Sequence, residues 1–443
     1  MQLEGWGRYP RFESEFARVE DPQALPSLVA RTRGIIARGN GRAYGDAAIG
    51  ERLTLGVLGL DRMKAFDRQS GLLTVEAGVL LADILETFMP QGFFPAVVPG
   101  TKLVTVGGMI AADVHGKNHH RDGSFGDHVE RLTLVQPSGE AVLCGPHDNT
   151  DLFRATIGGM GLTGVITEAT FRMKPIETGW VRQQTIVAND LAAALKALDE
   201  SDVATYSVAW IDCLSRGASL GRSLVFVGEH ATRQEVASSL PQAQLLPQTR
   251  AGRLGVPVDL PAWTLNKASV AAFNEVYFRR GAKKSGESFL TLWEPYFFPL
   301  DGVNKWNRIY GRRGFFQHQC VVPPANAHAV LSEILERITR SGKASFLAVL
   351  KKMGAAGSLM SFPMQGYTLA LDLRVTDETF ALLDEIDRIV VAAGGRLYLA
   401  KDARQSRQTF EAGYPNVGRF NDIRSALGAK GHLASHLSSR LGL

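Results

Sequence analysis

Apolar positions along the chain recur with two periods. Leu53–Leu58 and Leu72–Ala77 alternate apolar and polar residues and predict strands, as do Gly34–Arg38, Phe94–Val98, Val129–Gln136, Ala141–Cys144 and Val165–Met173. Asp21–Arg33, with Leu25, Leu28 and Val29 on one stripe, predicts a helix; Leu81–Phe88 predicts a second and Asp151–Ala155 a single turn. Beyond Pro175–Gly179 the order changes. Strand Val181–Val187, helix Asp190–Leu198 and strands Ala204–Asp212 and Ser223–Gly228 follow one another. The same succession returns as strand Gly314–Val322, helix Ala325–Ser341, and strands Ala344–Lys351 and Gly366–Val375. Helix Thr379–Ala393 closes it, with Phe380, Leu383, Ile386 and Val390 on one face and Gly394 as its stop. Two strand–helix–strand–strand units predict one antiparallel sheet backed by helices on one face. The expected class is α+β with two domains, 1–178 and 179–394, and a polar-faced helical segment, 395–443, returning to the first.

Two stretches carry no clean period. Pro99–Gly126 holds six glycines and three histidines and reads as loop, where binding and chemistry concentrate. From Arg250 to Gly302, aromatics including Trp263, Phe273, Tyr277, Trp293 and Tyr296 surround the cluster Arg279, Arg280, Lys283 and Lys284. So long an irregular insert reads as a lid, a binding loop or a disordered segment.

Composition narrows the classes. Apolar residues at 45% and charged residues at 21% describe an ordinary globular chain. A net charge of +5 gives weak support for an anionic ligand, and neither aromatic RNA-binding sets nor finger spacings accompany it, so nucleic acid is not expected. Three cysteines, far apart, argue against a disulfide framework. The N-terminus lacks a signal-peptide pattern and no stretch reaches the roughly 18 apolar residues of a spanning helix, so a soluble or peripheral protein is expected, on a membrane face left open.

The loop Gly39–Asp46 opens like a dinucleotide fingerprint, but Tyr44 replaces the third glycine and a strand pattern follows in place of a helix, so a Rossmann turn is rejected. What remains is an anion-binding nest or a plain turn. Pro99–Gly108 and Gly158–Gly164 are loops of the same kind, and a ligand as long as FAD would need all three. His115 and His119 have the spacing of zinc ligands on a helix, but flanking glycines disfavour a helix and Gly116 replaces the required glutamate, so no metal site is expected. Loop hydrogen bonding or an active-site role remain for these histidines. Gln317 and Gln319 point to one side of a strand and suit sugar hydroxyls or a half-exposed surface. Lys351 ends the apolar run Phe346–Leu350 and suits a phosphate or a strand end in water.

Together GWGR (Gly5–Arg8), ARGNGRAYGD (Ala37–Asp46), PGTKLVTVGGMIAADVHGKNHH, GSFG (Gly123–Gly126), GLTG (Gly161–Gly164), WNRIYG (Trp306–Gly311), GFFQHQ (Gly314–Gln319), SFLAVLKKMG (Ser345–Gly354), SFPMQGY (Ser361–Tyr367) and GGRLYLAKDAR (Gly394–Arg404) carry a resemblance. The chain resembles the vanillyl-alcohol-oxidase superfamily of FAD enzymes and, within it, the decaprenylphosphoryl-β-D-ribose 2′-oxidase family. The resemblance implies an FAD domain and a substrate domain. It implies that Ile36, Ala37, Arg38, Gly39, Asn40, Gly41, Arg42, Ala43, Tyr44, Gly45 and Asp46 cradle the FAD pyrophosphate. Gly100, Thr105, Val106, Gly107, Gly108, Ala112, Asp113, Val114, His115, Ile166 and Tyr398 would line the rest of the cofactor. Arg42 stands where some relatives carry a flavin-linked histidine, so the FAD would be noncovalent. Lys401, His115 and Tyr44 would be catalytic, and Lys117, Tyr310, Gln317, Gln319, Lys351, Thr368, Ala370 and Lys401 would contact substrate. Relatives carry cysteine at Ala370, asparagine at Thr368 and serine at Val208, departures that bear on pocket shape more than on the reaction.

The implied activity is oxidation of the 2′-hydroxyl of a polyprenyl-phosphoribose, the ketone passing to a separate NADH-dependent reductase in arabinan and cell-wall synthesis. The basic, aromatic segment around Arg279 would give peripheral membrane contact. Oxidation of a free sugar, alditol or aldonolactone is the alternative within enzymes, and glycolipid binding without catalysis the alternative outside them.

Overall fold

Thr368, Ala370 and Asp372 share one face of the strand Gly366–Arg374, while Tyr367, Leu369, Leu371 and Leu373 share the other. In the computed structural model, which describes residues 1–248, 254–261, 264–343, 345–355 and 357–443, that strand lies inside an eight-stranded sheet. The order across it is Ser288–Leu292, Trp180–Ala188, Ser223–His230, Tyr206–Ile211, Ala348–Met353, Gly366–Arg374, Phe315–Val322 and Arg396–Leu397, with every neighbouring pair antiparallel. The leucine face packs on helices Leu191–Glu200, Ala327–Ser341 and Asp377–Ala392 in one buried apolar cluster. Asp190 and Thr376 cap the first and third of these helices, and the left-handed Gly342 and Gly394 follow the ends of the second and third. The opposite face of the sheet is free to build a site.

The first part of the chain forms a six-stranded antiparallel sheet, built around Val165–Pro175, and a three-stranded parallel sheet. In the parallel sheet, Leu53–Gly56 lies between Glu15–Arg18 and Ile35–Arg38. No helix follows Ile35–Arg38, so the glycine loop after it is held from other directions. Helices Arg407–Gly413 and His436–Leu441 bury Phe410, Leu437 and Leu441 with Ile36, Ala155 and Leu162, and the Leu433 backbone bridges to Ile35.

Two sequence expectations are corrected. The segment from Arg250 to Gly302 is not an irregular lid: it contains the helix Lys267–Ala282, the edge strand Ser288–Leu292 and the short helix Trp293–Phe297. Asn266 caps the first of these by accepting from Ala268 and Ser269. Its buried positions are Val270 and the polar Asn274, which donates to Asp212, whereas Phe273, Val276 and Tyr277 are exposed, so no apolar stripe announces it. Trp293, Tyr296, Phe297 and Phe298 are core residues, packed with Phe94, Phe125 and Phe171 from the first part of the chain; each such burial contributes about 1.5–3 kcal/mol. Trp263 and Ala344 lie outside the described residues. Pro99–Gly126, read as loop throughout, holds helices Val106–Ala111 and His119–Asp122, the first capped by Thr105.

Candidate active site

Between the glycine loops and the free face of the large sheet lies a cavity of about 1200 Å3. That exceeds the ~300–1000 Å3 usual for one small ligand. One end is backbone-rich, formed by Gly39–Tyr44, Gly100, Thr101, Leu103–Thr105, Gly107, Gly108, Gly161 and Gly164. Asn40 Nδ2 donates to the Leu103 carbonyl at 2.8 Å and Arg42 Nε to the same oxygen at 3.3 Å, which ties the first two loops together. Gly39 lies so close to Thr105 that an added Cβ would stand 2.2 Å from its Oγ1. Gly41 is left-handed (φ 62°), and the Arg38 guanidinium fills the space behind it. Arg42 stacks 4.1 Å over the Trp6 ring. Closely spaced N–H groups with arginines beside them suit a pyrophosphate.

The other end is the sheet face. Register places Gln319 beside Ala370, Ala370 beside Val349 and Val349 beside Trp210, with Lys351 beside Thr368. The face therefore divides into a polar part (Gln317, Gln319, Thr368, Lys351) and an apolar trough (Val208, Trp210, Phe226, Leu347, Val349). The Tyr277 ring packs tilted against Trp210, centroids 4.8 Å apart, and brings the helix Lys267–Ala282 to the trough's outer edge.

His115 and Lys401 stand where the two ends meet. Gln319 Nε2 donates to His115 Nε2 at 3.0 Å, so the ring proton sits on Nδ1, which has no partner among the described residues. Burial, then Lys351, His119 and Lys401, hold His115 well below the usual imidazole range, so it is neutral and offers one free donor. Tyr398, beside the His115 ring at 5.2 Å, donates to the Ala112 carbonyl. Lys401 Nζ lies 3.8 Å from the centre of the Tyr44 ring and has neither ion pair nor side-chain hydrogen bond among the described residues. Burial lowers its proton affinity; a nearby carboxylate, Asp372, raises it and Lys351 lowers it further. Lys351, pushed down to about 8 by burial, also has no acceptor among the described residues, and Lys117, held at about 7 by burial and then Lys351, sits 4.2 Å over the Tyr296 ring. Enclosed ammonium groups without counter-ions call for an anionic ligand.

Most of the expected site converges here. Ala37, Gly39, Asn40, Gly41, Arg42, Ala43, Tyr44, Gly100, Thr105, Gly107, Gly108, Ala112, Val114, His115, Ile166 and Tyr398 line the cavity, as do Lys117, Gln317, Gln319, Lys351, Thr368, Ala370 and Lys401. Seven do not. Ile36 and Val106 point into apolar cores. Arg38 supports the loop from behind, donating to Glu4 and Ala48 carbonyls. Gly45 packs on the Asp402 backbone and Asp46 pairs with Arg440. Asp113 accepts from Gly126 and Ser361. Tyr310 is buried beneath the wall, 3.5 Å from Asp372. Nor do His119 and His120 face the ligand: they bond to Gly354 and Ala204. Sequence reasoning missed Trp6, Asp301 and the trough residues Trp210 and Phe226; the same alternation that grouped Gln317 with Gln319 would have grouped Val208 with Trp210.

A glycine cradle opening onto a sheet face that presents two glutamines, with a buried lysine where the two meet, has the build of an FAD-dependent oxidoreductase, and the residues present fit that cofactor. The family described as FAD binding domain matches residues 16–145. The chain is 37% identical, over its full length and 97% of the relative, to decaprenylphosphoryl-beta-D-ribose oxidase of Mycolicibacterium smegmatis. It is 34% identical to an uncharacterized protein of Streptomyces coelicolor, over 82% of this chain and all of that one. Cytokinin dehydrogenase 10 of Oryza sativa is 33% identical over 39% of this chain and 33% of the relative. The chain belongs to the decaprenylphosphoryl-β-D-ribose oxidase family.

Proposed function

We propose that this chain oxidises the 2′-hydroxyl of a polyprenylphosphoryl-β-D-ribose to the 2′-ketone. The observation that carries the reading is the unpaired Lys401 Nζ at the junction of cradle and sheet, in a chain related end to end to an oxidase of that substrate. FAD, bound without a covalent link along the cradle, supplies the hydride acceptor. Lys401 takes the hydroxyl proton, with the Tyr44 ring holding its amine in place. His115 Nδ1–H, Gln317 and Gln319 orient the sugar, and Lys117 and Lys351 neutralise the phosphate. The trough from Val208 to Trp210 takes the first units of the lipid. Residues 1–178 act as the FAD-binding part, 179–394 as the substrate-binding part, and 395–443 close back on the first. The ketone then requires a separate NADH-dependent reductase.

Anaerobic bleaching of the flavin tests the reading. Polyprenylphosphoryl-ribose is expected to bleach it, and free pentoses, alditols and aldonolactones to leave it oxidised. Bleaching by a free polyol alone, or by none of the panel, overturns it.

No helix among the described residues is long and apolar enough to cross a membrane. Contact with the bilayer falls to the helix Lys267–Ala282 beside the cavity, where Phe273, Val276 and Tyr277 are exposed on the element that carries Arg279 and Arg280 and is followed by Lys283 and Lys284. Each basic group contributes about 1 kcal/mol at an anionic surface. Reversing the charge of Arg279, Arg280, Lys283 and Lys284 should abolish flotation with phosphatidylserine vesicles; undiminished flotation would remove this surface from consideration.

A further inference from the structure

Asp372 is fully buried, yet no cation pairs with it among the described residues. Its Oδ1 accepts from Gln317 Nε2 at 2.7 Å and its Oδ2 from Tyr310 OH at 3.5 Å, while its own N–H donates to Ser345 Oγ at 3.0 Å. A carboxylate so enclosed costs several kcal/mol to keep charged unless a positive group faces it. By alternation it shares the cavity side of its strand with Thr368 and Ala370. Register then separates the lysines. Lys351 pairs across to Thr368, four residues from Asp372 and therefore ~13 Å away at ~3.3 Å per residue. Lys401 lies nearer: Gln317, which holds Asp372 Oδ1, lines the cavity together with Lys401, and Tyr44, 3.8 Å beneath the Lys401 amine, is raised by the same Asp372 charge; Asp372 raises the proton affinity of Lys401 and Lys351 lowers it.

We infer that Asp372 is a positioning residue for Lys401: a buried carboxylate clamped by Gln317 and Tyr310 that sets the charge on the amine without touching substrate. The inference rests on the reading of Lys401 as the base. Groups facing Lys401 are Tyr44, His115, Lys351 and Asp372, and those facing Asp372 are Gln317, Tyr310, Tyr44 and Lys401. Burial drives the carboxyl toward its neutral form, and Gln317 and then Lys401 oppose that. The two groups thus hold each other charged against a dry environment. Without Asp372 only Lys351 and burial would act on Lys401, and both favour the free amine. The carboxylate keeps Lys401 protonated in the resting site, where the ammonium binds the sugar oxygen, and lets it go as pH rises. The reaction proceeds from sites in which Lys401 has released that proton: the 2′-hydroxyl proton moves to the lone pair of the free amine, and the C2′ hydride would pass to bound FAD.

The test reads the charge on Lys401 directly. Competitive acetylation of Lys401 by acetic anhydride, followed on its peptide by mass spectrometry, is measured against pH in the FAD-loaded wild type and Asp372→Asn without substrate. Asp372→Asn is expected to move the Lys401 profile to lower pH and to raise its labelling at pH 6 by about tenfold, one pKa unit being a factor of ten. The rising limb of flavin reduction should move with it. An unchanged Lys401 profile in FAD-loaded Asp372→Asn overturns the inference, whatever happens to turnover. A shifted profile in a protein that no polyprenyl-phosphosugar bleaches, wild type included, supports Asp372 and removes the functional reading instead. Should Asp372→Asn fail to load FAD, Tyr310→Phe removes one donor from the carboxylate and is expected to shift the labelling in the same direction by about two- to threefold; no shift there counts equally against it.

Discussion

Lys401→Ala is expected to slow anaerobic flavin reduction by polyprenylphosphoryl-ribose about 10²–10⁴-fold, the usual contribution of a positioned acid or base, with FAD content unchanged. The size follows from the site's inventory. His115 is held neutral with Nε2 already occupied by Gln319, so it donates but does not accept. Tyr44 is buried, and burial and Asp372 raise its phenol well above its usual range, so it does not ionise near neutrality. Lys117 is held against the Tyr296 carbonyl, and Lys351 is aligned with Thr368. Lys401 combines a lowered proton affinity with a nitrogen free in the cavity at the junction of cradle and sheet, whereas Lys351 stands farther along the sheet beside Thr368. The sign of the pH dependence follows: the base works as the free amine, so the rate constant rises with pH as Lys401 loses its proton, and falls about tenfold per pH unit below that point. Lys401→Arg keeps the charge but does not release a proton in this range, and is expected to be as slow as alanine with a flat profile. Stopped-flow measurement of the flavin band from pH 5.5 to 9 decides it; wild-type rates in Lys401→Ala would remove the lysine from the mechanism.

Gly39→Val is expected to yield protein with less than about a tenth of the wild-type flavin, read from the ratio of the visible flavin absorbance to protein. The added Cβ would stand 2.2 Å from Thr105 Oγ1 and 3.2 Å from Thr105 Cβ. Thr105 has little room to yield, because its Oγ1 caps the helix Val106–Ala111 by accepting from Gly108 N at 3.2 Å. Relief of the clash must therefore separate the loops that Asn40 and Arg42 hold together at Leu103, and the cradle opens. Gly418→Ala serves as the control: it lies on the exposed side of a C-terminal helix with nothing within 4 Å of the new methyl, and should retain FAD fully. Full flavin in Gly39→Val would show that the cradle does not depend on this approach.

Both experiments act on residues that the sequence singles out, but for different physical reasons. Gly39 belongs to one of three glycine-rich loops, which local composition reveals because only glycine lets backbone approach so closely. Lys401 is a charge at the end of an apolar strand pattern, and its role came from resemblance; nothing local to RLYLAKDAR shows that Tyr44, some 350 positions earlier, packs beneath it. Asp372 was legible in part. Alternation in Gly366–Val375 sends Thr368, Ala370 and Asp372 to one face, and an acid there is unusual for an inner strand. What alternation does not reveal is the neighbour across the ladder, Gln317, and hence whether that acid meets water or a lysine. The helix Lys267–Ala282 was missed for the opposite reason: its exposed face carries Phe273, Val276 and Tyr277 while its inner face buries Asn274, which inverts the pattern on which recognition of a helix rests.

By itself the sequence determined the elements whose burial is one-sided. Helix Leu81–Phe88, the hairpin Val129–Val135 with Ala141–Cys144, and the doubled strand–helix–strand–strand order all follow from apolar residues repeating at the period of their own backbone. It also singled out Pro99–Gly126 as a stretch that contributes to the site, and within its histidine-rich end His115, Gly116 and Lys117 reach the cavity. Tertiary structure alone decided the rest: which side of the large sheet the helices cover, which seven expected residues lie outside the cavity, and which polar groups enclose the buried Asp372. Those are relations between strands distant in the chain. Ladder register and the exclusion of water set them, and neither leaves a local trace in composition or periodicity.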